Sequence, residues 1–384
     1  MAPASATPLS VWVRAQSRKV IGRGRISGDA RYGLGVETLT GEDPQLERFR
    51  IELTSYCYRM LGSGFEAEDA VQETLLRAWR SFDRYDERRA SLRTWLYSIA
   101  TNICLDMLRS AQRRALAMDL SRAAEAGSGI GEPVAERMWI QPMPDRLVLP
   151  MDSGPEELAV QRETIRLAFV AALQHLPPRQ RAVLILRDVL CWKAEEVAHL
   201  LETTVVSVTS ALQRARSTLK VVDPTPGEPL RPSDPTQREL LTRYCEAFER
   251  HDIAALVALI HQDATMAMPP FTWWLRGRDQ IRQAMLDPGA SCEGARLIPT
   301  AANGSPAFWQ MRPGPAGVYT PFGLVLLDVY EGLINGITTY LDADRLVRLA
   351  GFEPVSRCLE GRFGQGATCA CPDQGPFMLP MGDR

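Results

Sequence analysis

The stretch "KAEEVAHLLETTVVSVTSALQRAR", residues 193–216, shows the pattern of two helices joined by a short turn. Its small and apolar residues have the core spacing of a helix-turn-helix, at Ala198, Leu201, Val205, Val208 and Leu212. Glu202 stands where a glycine is usual, and a side chain in a left-handed turn conformation costs about 1 kcal/mol. The stretch predicts a helix-turn-helix, and a plain helical hairpin remains the alternative.

The outward positions of the second helix are weakly charged. They are hydroxyl residues, one amide and two arginines: Ser207, Thr209, Ser210, Gln213, Arg214 and Arg216. Small hydroxyls fit closely into a major groove, an amide can bind base edges, and arginines can reach phosphate or guanine. Because phosphate neutralisation supplies much of the affinity for DNA, we expect this helix to bind weakly unless another part of the chain binds with it.

A second candidate nucleic-acid surface lies upstream, in "RYDERRAS" and the helical stretch "SLRTWLYSIATNICLDMLRSAQRR" that overlaps it. The periodicity predicts a buried stripe of Leu92, Trp95, Leu96, Ile99, Ile103 and Met107. The candidate contacts are cations, amides, hydroxyls and a ring: Arg88, Arg89, Ser91, Arg93, Tyr97, Asn102, Asp106 and Arg109. This mixture is typical of single-strand binding, although a solvated helix face would look similar.

The preceding helix, "EAEDAVQETLLRAWRSF", has a predicted apolar stripe of Val71, Leu75, Ala78, Trp79 and Phe82. Asp69, Gln72 and Glu73 are three and four residues apart and share one outward edge. Two interpretations remain open for this edge. It is the polar face of a well-capped amphipathic helix, or it is a surface for a protein partner.

In combination, these three motifs over residues 45–220 resemble regions 2 and 4 of extracytoplasmic-function (group IV) sigma-70 factors. The apolar linker "WIQPMPDRLVLP" and the added C-terminal domain resemble the actinobacterial, sigma-G-type subgroup. The resemblance implies that Asp69, Gln72 and Glu73 bind the coiled coil of the largest RNA polymerase subunit. It also implies that residues 84–109 capture flipped bases of the −10 strand and that residues 205–216 bind the −35 element.

The resemblance further implies that the linker threads the RNA-exit path of the polymerase core, built by the largest and second-largest subunits. An anti-sigma factor is a further partner that the family allows. The apolar linker residues are Trp139, Ile140, Leu147, Val148 and Leu149. Because they are costly to expose, we expect part of the linker to lie against a protein surface.

We therefore predict a multidomain chain with two all-α sigma domains, a region 2 helical bundle and a region 4 helix-turn-helix, followed by an α+β cone. The predicted divisions are a disordered arm 1–43, region 2 at 45–118, a linker 119–155, region 4 at 156–222, a spacer 223–235, the cone 236–350 and a tail 351–384.

Residues 236–345 resemble the SnoaL-like, NTF2-like fold, with helices followed by antiparallel strands. The candidate pocket residues are Met266, Met268, Trp273, Trp274, Phe322 and Tyr340, with plain core packing as the alternative. Family enzymes use a buried Asp or His as a base, which directs attention to His251, Asp252, His261 and Asp263. Asp252 follows a helix in a capping position and Asp263 begins a strand, so we expect structural roles and no catalytic residue. Regulation, by clamping the DNA-binding domains or by binding a small ligand, is the expected role of this domain.

The composition limits the function classes. The 384 residues carry a formal net charge of −2, so the chain is no general polycation. No apolar run approaches the roughly 20 residues that cross a bilayer, and we expect a cytoplasmic protein without membrane insertion. No cofactor or metal is predicted; Cys358, Cys369 and Cys371 form only a weak zinc or redox pattern. Two other classes remain open: a helix-turn-helix regulator that acts without polymerase, and a ligand-transforming enzyme with a DNA-binding part.

Overall fold

The computed structural model describes residues 44–109, 114–150, 154–221, 227–287, 292–314 and 318–349. The predicted arm 1–43 and the tail with its three cysteines lie outside these residues. The described residues form two compact units. The first contains residues 44–109, 148–150, 154–160 and 172–221, and the second contains residues 114–147, 161–171, 227–287, 292–314 and 318–349.

The helices are numbered here along the described chain. Those up to residue 165 are α1 (Pro44–Glu47), α2 (Arg50–Leu61), α3 (Gly64–Arg80), α4 (Leu92–Met107), α5 (Ala117–Leu120), α6 (Asp145–Val148) and α7 (Pro155–Ile165). The others are α8 (Leu167–Gln174), α9 (Pro178–Leu184), α10 (Ala194–Leu200), α11 (Val205–Val221), α12 (Pro235–Glu249), α13 (Ile253–Ala258), α14 (Arg278–Met285) and α15 (Ala343–Leu349).

In the first unit, α2, α3 and α4 pack together as the predicted region 2 bundle. Local capping residues define the end of α2 and the start of α3. Gly62 takes the left-handed conformation at φ 70°, and the hydroxyl of Ser63 accepts the Glu66 amide at 3.2 Å. Trp79 differs from the predicted stripe of α3. Trp79 is 53% exposed, because the buried face of α3 follows Val71, Leu75 and Ala78 and leaves Trp79 beside it.

The buried face of α4 is broader than the predicted stripe. Tyr97 is fully buried, whereas the predicted stripe residues Leu92 and Trp95 are half-buried. The physical reason is that α4 packs against α2 and α3 and also against α9 and α10, the first helices of the helix-turn-helix region. A helix with two sets of neighbours buries more of its circumference than one apolar stripe indicates.

The helix-turn-helix is present. Helix α9 begins at Pro178, the second residue of a double proline, and continues into a π-helical stretch at Ile185–Val189. Ala198, Val208 and Leu212 are buried between α10 and α11, whereas Leu201 is half-buried and Val205 is 39% exposed. Glu202 has φ 49°, so this turn keeps the left-handed geometry and tolerates the strain of a side chain there.

The second unit is an α+β domain with a six-stranded sheet in the order β2-β1-β6-β5-β4-β3. Its strands are β1 (Ile260–Ala267), β2 (Trp274–Arg276), β3 (Arg296–Ala302), β4 (Ser305–Pro313), β5 (Tyr319–Tyr330) and β6 (Leu333–Tyr340). Neighbouring strands are antiparallel except β1 and β6, which pair in parallel. Residues from α12, α13 and α14 form a core with one face of this sheet. As predicted, Asp252 caps a helix: it accepts the Ala255 amide at 2.9 Å.

We expect Glu202→Gly to stabilise the helix-turn-helix, because glycine adopts φ 49° without the strain of a side chain. The opening free energy of α10 and α11 should rise by about 1 kcal/mol, which slows their amide hydrogen exchange about 5-fold. Glu195→Gly, at an exposed position inside α10, is the matched control and should accelerate exchange. Unchanged protection in the Glu202 variant would contradict the strain.

Candidate polymerase and nucleic-acid interfaces

Helix α3 presents a mixed acidic and apolar surface. Asp69 and Gln72 are exposed, and Glu73 lies beside them in an ion pair with Arg77 at 2.6 Å. Leu76 is 38% exposed and Trp79 is 53% exposed on the following turns. A large apolar side chain next to a carboxylate edge is typical of a protein-binding surface rather than a plain solvated face. Sequence reasoning assigned Trp79 to the core. Its spacing of three from Leu76 and seven from Gln72 was the available signal.

The loop before α4 carries exposed arginines next to an aromatic cluster. Arg88 and Arg89 are exposed. The ring of Tyr85 stacks on Trp95 with centroids 5.1 Å apart, and Phe82 lies 5.9 Å from Tyr85. Cations beside stacked rings can hold a nucleic-acid backbone and an unstacked base. Tyr85 was missed as a site residue, although it lies within the quoted "RYDERRAS" segment.

Several predicted −10 residues have structural partners in the first unit. Ser91 caps α4 by accepting the Thr94 amide at 3.1 Å. Arg93 forms an ion pair with Glu52 at 2.8 Å, and its guanidinium lies 5.4 Å from the ring centroid of Trp192. Tyr97 packs on the same Trp192 ring at 5.0 Å, and burial raises the pKa of its hydroxyl. Arg93 and Tyr97 therefore face the helix-turn-helix region in this structure, and the Tyr97 ring is not accessible to a base.

The remaining predicted −10 residues lie in the second half of α4 and just beyond it. Asn102, Asp106 and Arg109 are exposed, and Asp106 pairs with Arg109 at 3.2 Å. Asn102 lies one turn before Asp106, so its amide and this ion pair share one side of the helix. The structure thus brings Asn102, Asp106 and Arg109 together at the surface.

Helix α11 displays most of its predicted −35 residues. Ser207, Thr209, Gln213 and Arg214 are exposed, and Ser210 is half-buried. Arg216 differs, because its guanidinium forms a two-pronged ion pair with Asp188, with N–O distances of 2.8 and 2.5 Å. This pair joins α11 to the π-helical stretch before the motif. Arg216 therefore has a structural partner, and Arg214 is the arginine of the predicted set that faces solvent.

The linker residues 114–147 pack on the α+β domain in the second unit. The indole nitrogen of Trp274 donates to the Ser121 carbonyl at 3.0 Å, and the Trp139 ring packs on Tyr340 with centroids 5.4 Å apart. Short bridges join Pro133 to Phe271 and Pro144 to Ala302. As predicted, Trp139 and Ile140 are buried, and Leu147 is half-buried. Val148 and Leu149, which belong to the first unit, are buried as well.

The β3–β4 hairpin turn holds two chain segments at once. The amide of Asn303 donates to the Met143 carbonyl at 2.9 Å, and its side-chain oxygen accepts the Met143 amide at 2.8 Å. The side-chain nitrogen of Asn303 donates to the Ile165 carbonyl at 2.8 Å. The next residue, Gly304, has φ 64° and lies so close to Arg162 that a Cβ would be 2.5 Å from its carbonyl oxygen. The turn is shaped for both the linker and the end of α7.

Buried charged side chains also hold residues 161–171 to the α+β domain. Arg166 donates to a carboxylate oxygen of Asp328 in β5 at 2.8 Å. Burial raises the pKa of Glu163, beside Arg166, to about 7, and burial likewise raises the pKa of Asp145 to about 6. Asp145 accepts the Gly304 amide at 2.7 Å. Residues 161–171 are therefore held to the domain by buried polar contacts, which need all partners in place.

The six candidate pocket residues do not form one group around a common cavity. Met266 and Trp273 belong to the core under the helices, with Met268 packed beside it. Trp274 packs with Ala117 of the linker side, and Tyr340 packs on Trp139. Phe322 lies under the guanidinium of Arg312. Alternation along the strands separates these rings onto both faces of the sheet, so they do not line one cavity.

A surface cavity of about 540 Å³ lies elsewhere in the domain. Its lining includes His251, Asp252, Met285, Leu286 and Glu293. Asp263 is exposed on β1, where its amide donates to His261 at 3.2 Å.

Among the residues described by the structure, no group of His, Cys, Asp and Glu is arranged to hold a metal ion. No helix of that part of the chain is long and apolar enough to span a membrane.

Comparison with known proteins agrees with this architecture. Residues 46–114 match the family model Sigma-70 region 2, residues 166–219 match Sigma-70, region 4, and residues 241–317 match the SnoaL-like domain. The ECF RNA polymerase sigma factor SigG of Mycobacterium tuberculosis is 46% identical over 335 residues, which cover 83% of this chain and 89% of that protein. SigJ of the same organism is 30% identical over 252 residues, covering 64% and 72% of the two chains.

The crystal structure of M. tuberculosis SigJ has the same fold, with a TM-score of 0.53, 22% identity, and coverage of 79% of this chain and 97% of that one. The chain belongs to the extracytoplasmic-function RNA polymerase sigma factors, and it carries a SnoaL-like domain after region 4. The resemblance that the sequence motifs indicated, including the likeness to sigma factor G, is confirmed.

Proposed function

We propose that this sigma factor binds core RNA polymerase through α3, directs it to promoters through α4 and α11, and is regulated by its SnoaL-like domain. The observation that carries the polymerase contact is the exposed Trp79 next to the acidic edge of α3. Aromatic side chains are favoured at the centre of protein interfaces, and charges around them set orientation. The coiled coil of the largest polymerase subunit is the partner that the family resemblance implies for this surface.

Reversing two charges on this edge tests the polymerase contact. We expect Asp69→Lys with Glu73→Lys to weaken binding to core polymerase at least about 30-fold, because like charges replace complementary ones. Binding is measured by biolayer interferometry with immobilised core enzyme. The matched control is Glu239→Lys with Glu246→Lys on α12. Both residues are exposed, and Glu246 pairs with Arg250 as Glu73 pairs with Arg77. Equal affinity of the α3 variant and the parent would contradict the assignment.

For the −10 strand, we propose a surface made of the Tyr85 and Trp95 rings, Arg88, Arg89 and Asn102. The arginines can bind the backbone, and the ring of Tyr85 can stack against an unpaired base. Arg93 and Tyr97 join this surface only after α4 separates from Trp192. Opening of the first unit on polymerase therefore belongs to the proposed mechanism.

We expect Tyr85→Ala to weaken single-strand capture. Loss of one stacked ring lowers holoenzyme affinity for a single-stranded −10 oligonucleotide about 5- to 150-fold. Tyr319→Ala, which removes another half-exposed tyrosine, serves as the control. Fluorescence anisotropy of a labelled oligonucleotide measures the affinity. The same affinity in the Tyr85 variant and in the control would exclude this ring as the stacking platform.

For the SnoaL-like domain, we propose a regulatory role without catalysis. Linker residues 114–147 pack on its sheet, and a linker in that position cannot at the same time thread the polymerase. The SnoaL-like domain then lowers transcription activity because it keeps the linker bound to its sheet. Asp252 is used as a helix cap and Asp263 is exposed, which supports a structural rather than a catalytic use of these acids.

Gly304→Ala should weaken this contact, since the added Cβ meets the backbone of Arg162 and displaces the turn that binds Met143 and Asp145 of the linker. Overpacking of this kind costs about 1–3 kcal/mol, so we expect transcription output to rise at least ~5-fold and trypsin to cut the linker faster. The control is Gly332→Ala in the β5–β6 turn. That glycine has φ 73°, so it imposes the same backbone strain, but an added Cβ meets nothing within 4 Å. Equal output and cleavage for both variants would exclude linker docking as the regulatory step.

Run-off transcription tests the function as a whole. Purified core polymerase, with and without this protein, is given a pool of genomic promoter fragments. New start sites that share −10 and −35 elements are expected from the holoenzyme. Specific duplex binding by the free protein without new start sites would favour the polymerase-independent regulator, and substrate turnover by the full chain would favour an enzyme. We place the protein in the cytoplasm with the polymerase, and an anti-sigma factor and a small ligand of the SnoaL-like domain are further proposed partners.

A further inference from the structure

The outward face of α11 contains an apolar residue that no structural role explains. Val206 is 75% exposed in the first turn of the helix, while the core contacts are made by Val208, Leu212, Ala215 and Leu219. A β-branched residue also lowers helix propensity. Val206 thus contributes to neither the packing nor the intrinsic stability of α11. Its position in the first turn, next to the predicted contact Ser207, is where a recognition helix enters the major groove.

The neighbours of Val206 on this face carry no charge. Thr209 and Gln213 follow it at three and seven residues and are exposed. The hydroxyl of Thr209 donates to the Val205 carbonyl at 3.0 Å, so its hydrogen is used within the helix, and its methyl group and its acceptor oxygen remain for contacts. Arg216 is held by Asp188, and Arg214 projects from an adjacent position on the helix. The centre of the face therefore offers methyl groups, hydroxyl oxygens and one amide, and no charged group.

This chemistry selects particular bases. Thymine is the base with a methyl group in the major groove, and apolar side chains recognise it by contact. The amide of glutamine can pair with adenine at N6 and N7. Guanine recognition commonly uses arginine or lysine, which the centre of this face lacks. A rise of 1.5 Å per residue places Gln213 about 10 Å beyond Val206, or about 3 base pairs along the groove.

We propose that α11 reads the −35 element mainly through apolar contact, with Val206 against the C5 methyl group of a thymine and Gln213 on an adenine about 3 base pairs away. This inference rests on the proposed function, since it assumes that α11 binds promoter DNA within the holoenzyme. It makes Val206 a specificity-determining residue, whereas Arg214 and Lys220 contribute phosphate contacts that are independent of sequence.

Deoxyuridine tests the contact directly, because it differs from thymidine only by the missing methyl group. Each thymine of a −35 element mapped by run-off transcription is replaced singly, and the affinity of the full holoenzyme is measured. We expect one position at which the parent loses about 4-fold, which corresponds to ~0.8 kcal/mol for one buried methyl group. Val206→Ala should bind the thymine promoter about 4-fold more weakly and show no further loss with deoxyuridine at that position.

Val221→Ala is the matched control, because Val221 is 85% exposed at the other end of the same helix and should leave the deoxyuridine effect intact. In a second arm, 7-deazaadenine removes the N7 acceptor. The parent should lose affinity at an adenine about 3 base pairs from the thymine, and Gln213→Ala should not.

Two results would overturn the inference while leaving the proposed function in place. In the first, the holoenzyme initiates normally but replacement of any thymine by deoxyuridine leaves its affinity unchanged. In the second, the Val206→Ala holoenzyme loses as much affinity with deoxyuridine as the parent does. Failure of the holoenzyme to initiate at any promoter would instead overturn the proposed function and the inference with it. Val206 is a surface residue, so circular dichroism of the variant should match the parent and exclude misfolding as the cause.

Discussion

The helical unit depends on one buried cation, Arg181. Its guanidinium donates to the Met60 carbonyl at the end of α2, to the side chain and carbonyl of Gln174, and to the Leu176 carbonyl. These carbonyls lie at helix ends, where acceptors have no partner within the helix and the dipole favours positive charge. Burial lowers the pKa of Arg181 to about 10, so the group stays charged at neutral pH. Removing it would leave several buried acceptors unpaired, each at a cost of about 1–3 kcal/mol.

The consequence of this arginine is that regions 2 and 4 share one core. Arg181 belongs to α9 of region 4, and Met60 belongs to α2 of region 2. With α9 fixed in this way, Trp192 at the start of the helix-turn-helix lies on Tyr97 and near Arg93. The helix that carries the predicted −10 contacts therefore has two uses that exclude each other. Its Arg93 and Tyr97 face region 4 in this structure, and their proposed part in binding the −10 strand requires the same face to be exposed.

Local signals in the sequence predicted the elements well, because caps and turns depend on neighbours in the chain. The capping acid Asp252 is an example. The burial of Tyr97 could not be predicted in this way, since its neighbour Trp192 is distant in the sequence.

The same limit applies to the candidate pocket. Met266 and Ala267 are adjacent in β1 but belong to different sides of the sheet. The strand register decides on which face of the sheet each aromatic ring lies. The spacing of aromatic residues in the sequence does not reveal this register. The linker's apolar residues predicted a surface contact, but the identity of that surface depends on the Asn303 turn.

Because each contact with polymerase or DNA is expected to be weak, the intramolecular contacts of Trp192 and of the linker can control promoter binding. The chain is nearly neutral, and the proposed recognition face of α11 has no charged group at its centre, so no single interface should bind tightly. Promoter binding then requires that several contacts form together, each raising the effective concentration of the next. Under this condition, a docking free energy of about 1–3 kcal/mol at Trp192 or at the linker changes the competent population about 5- to 150-fold. Small intramolecular contacts can therefore control a DNA-binding protein whose own affinity is distributed over several modest surfaces.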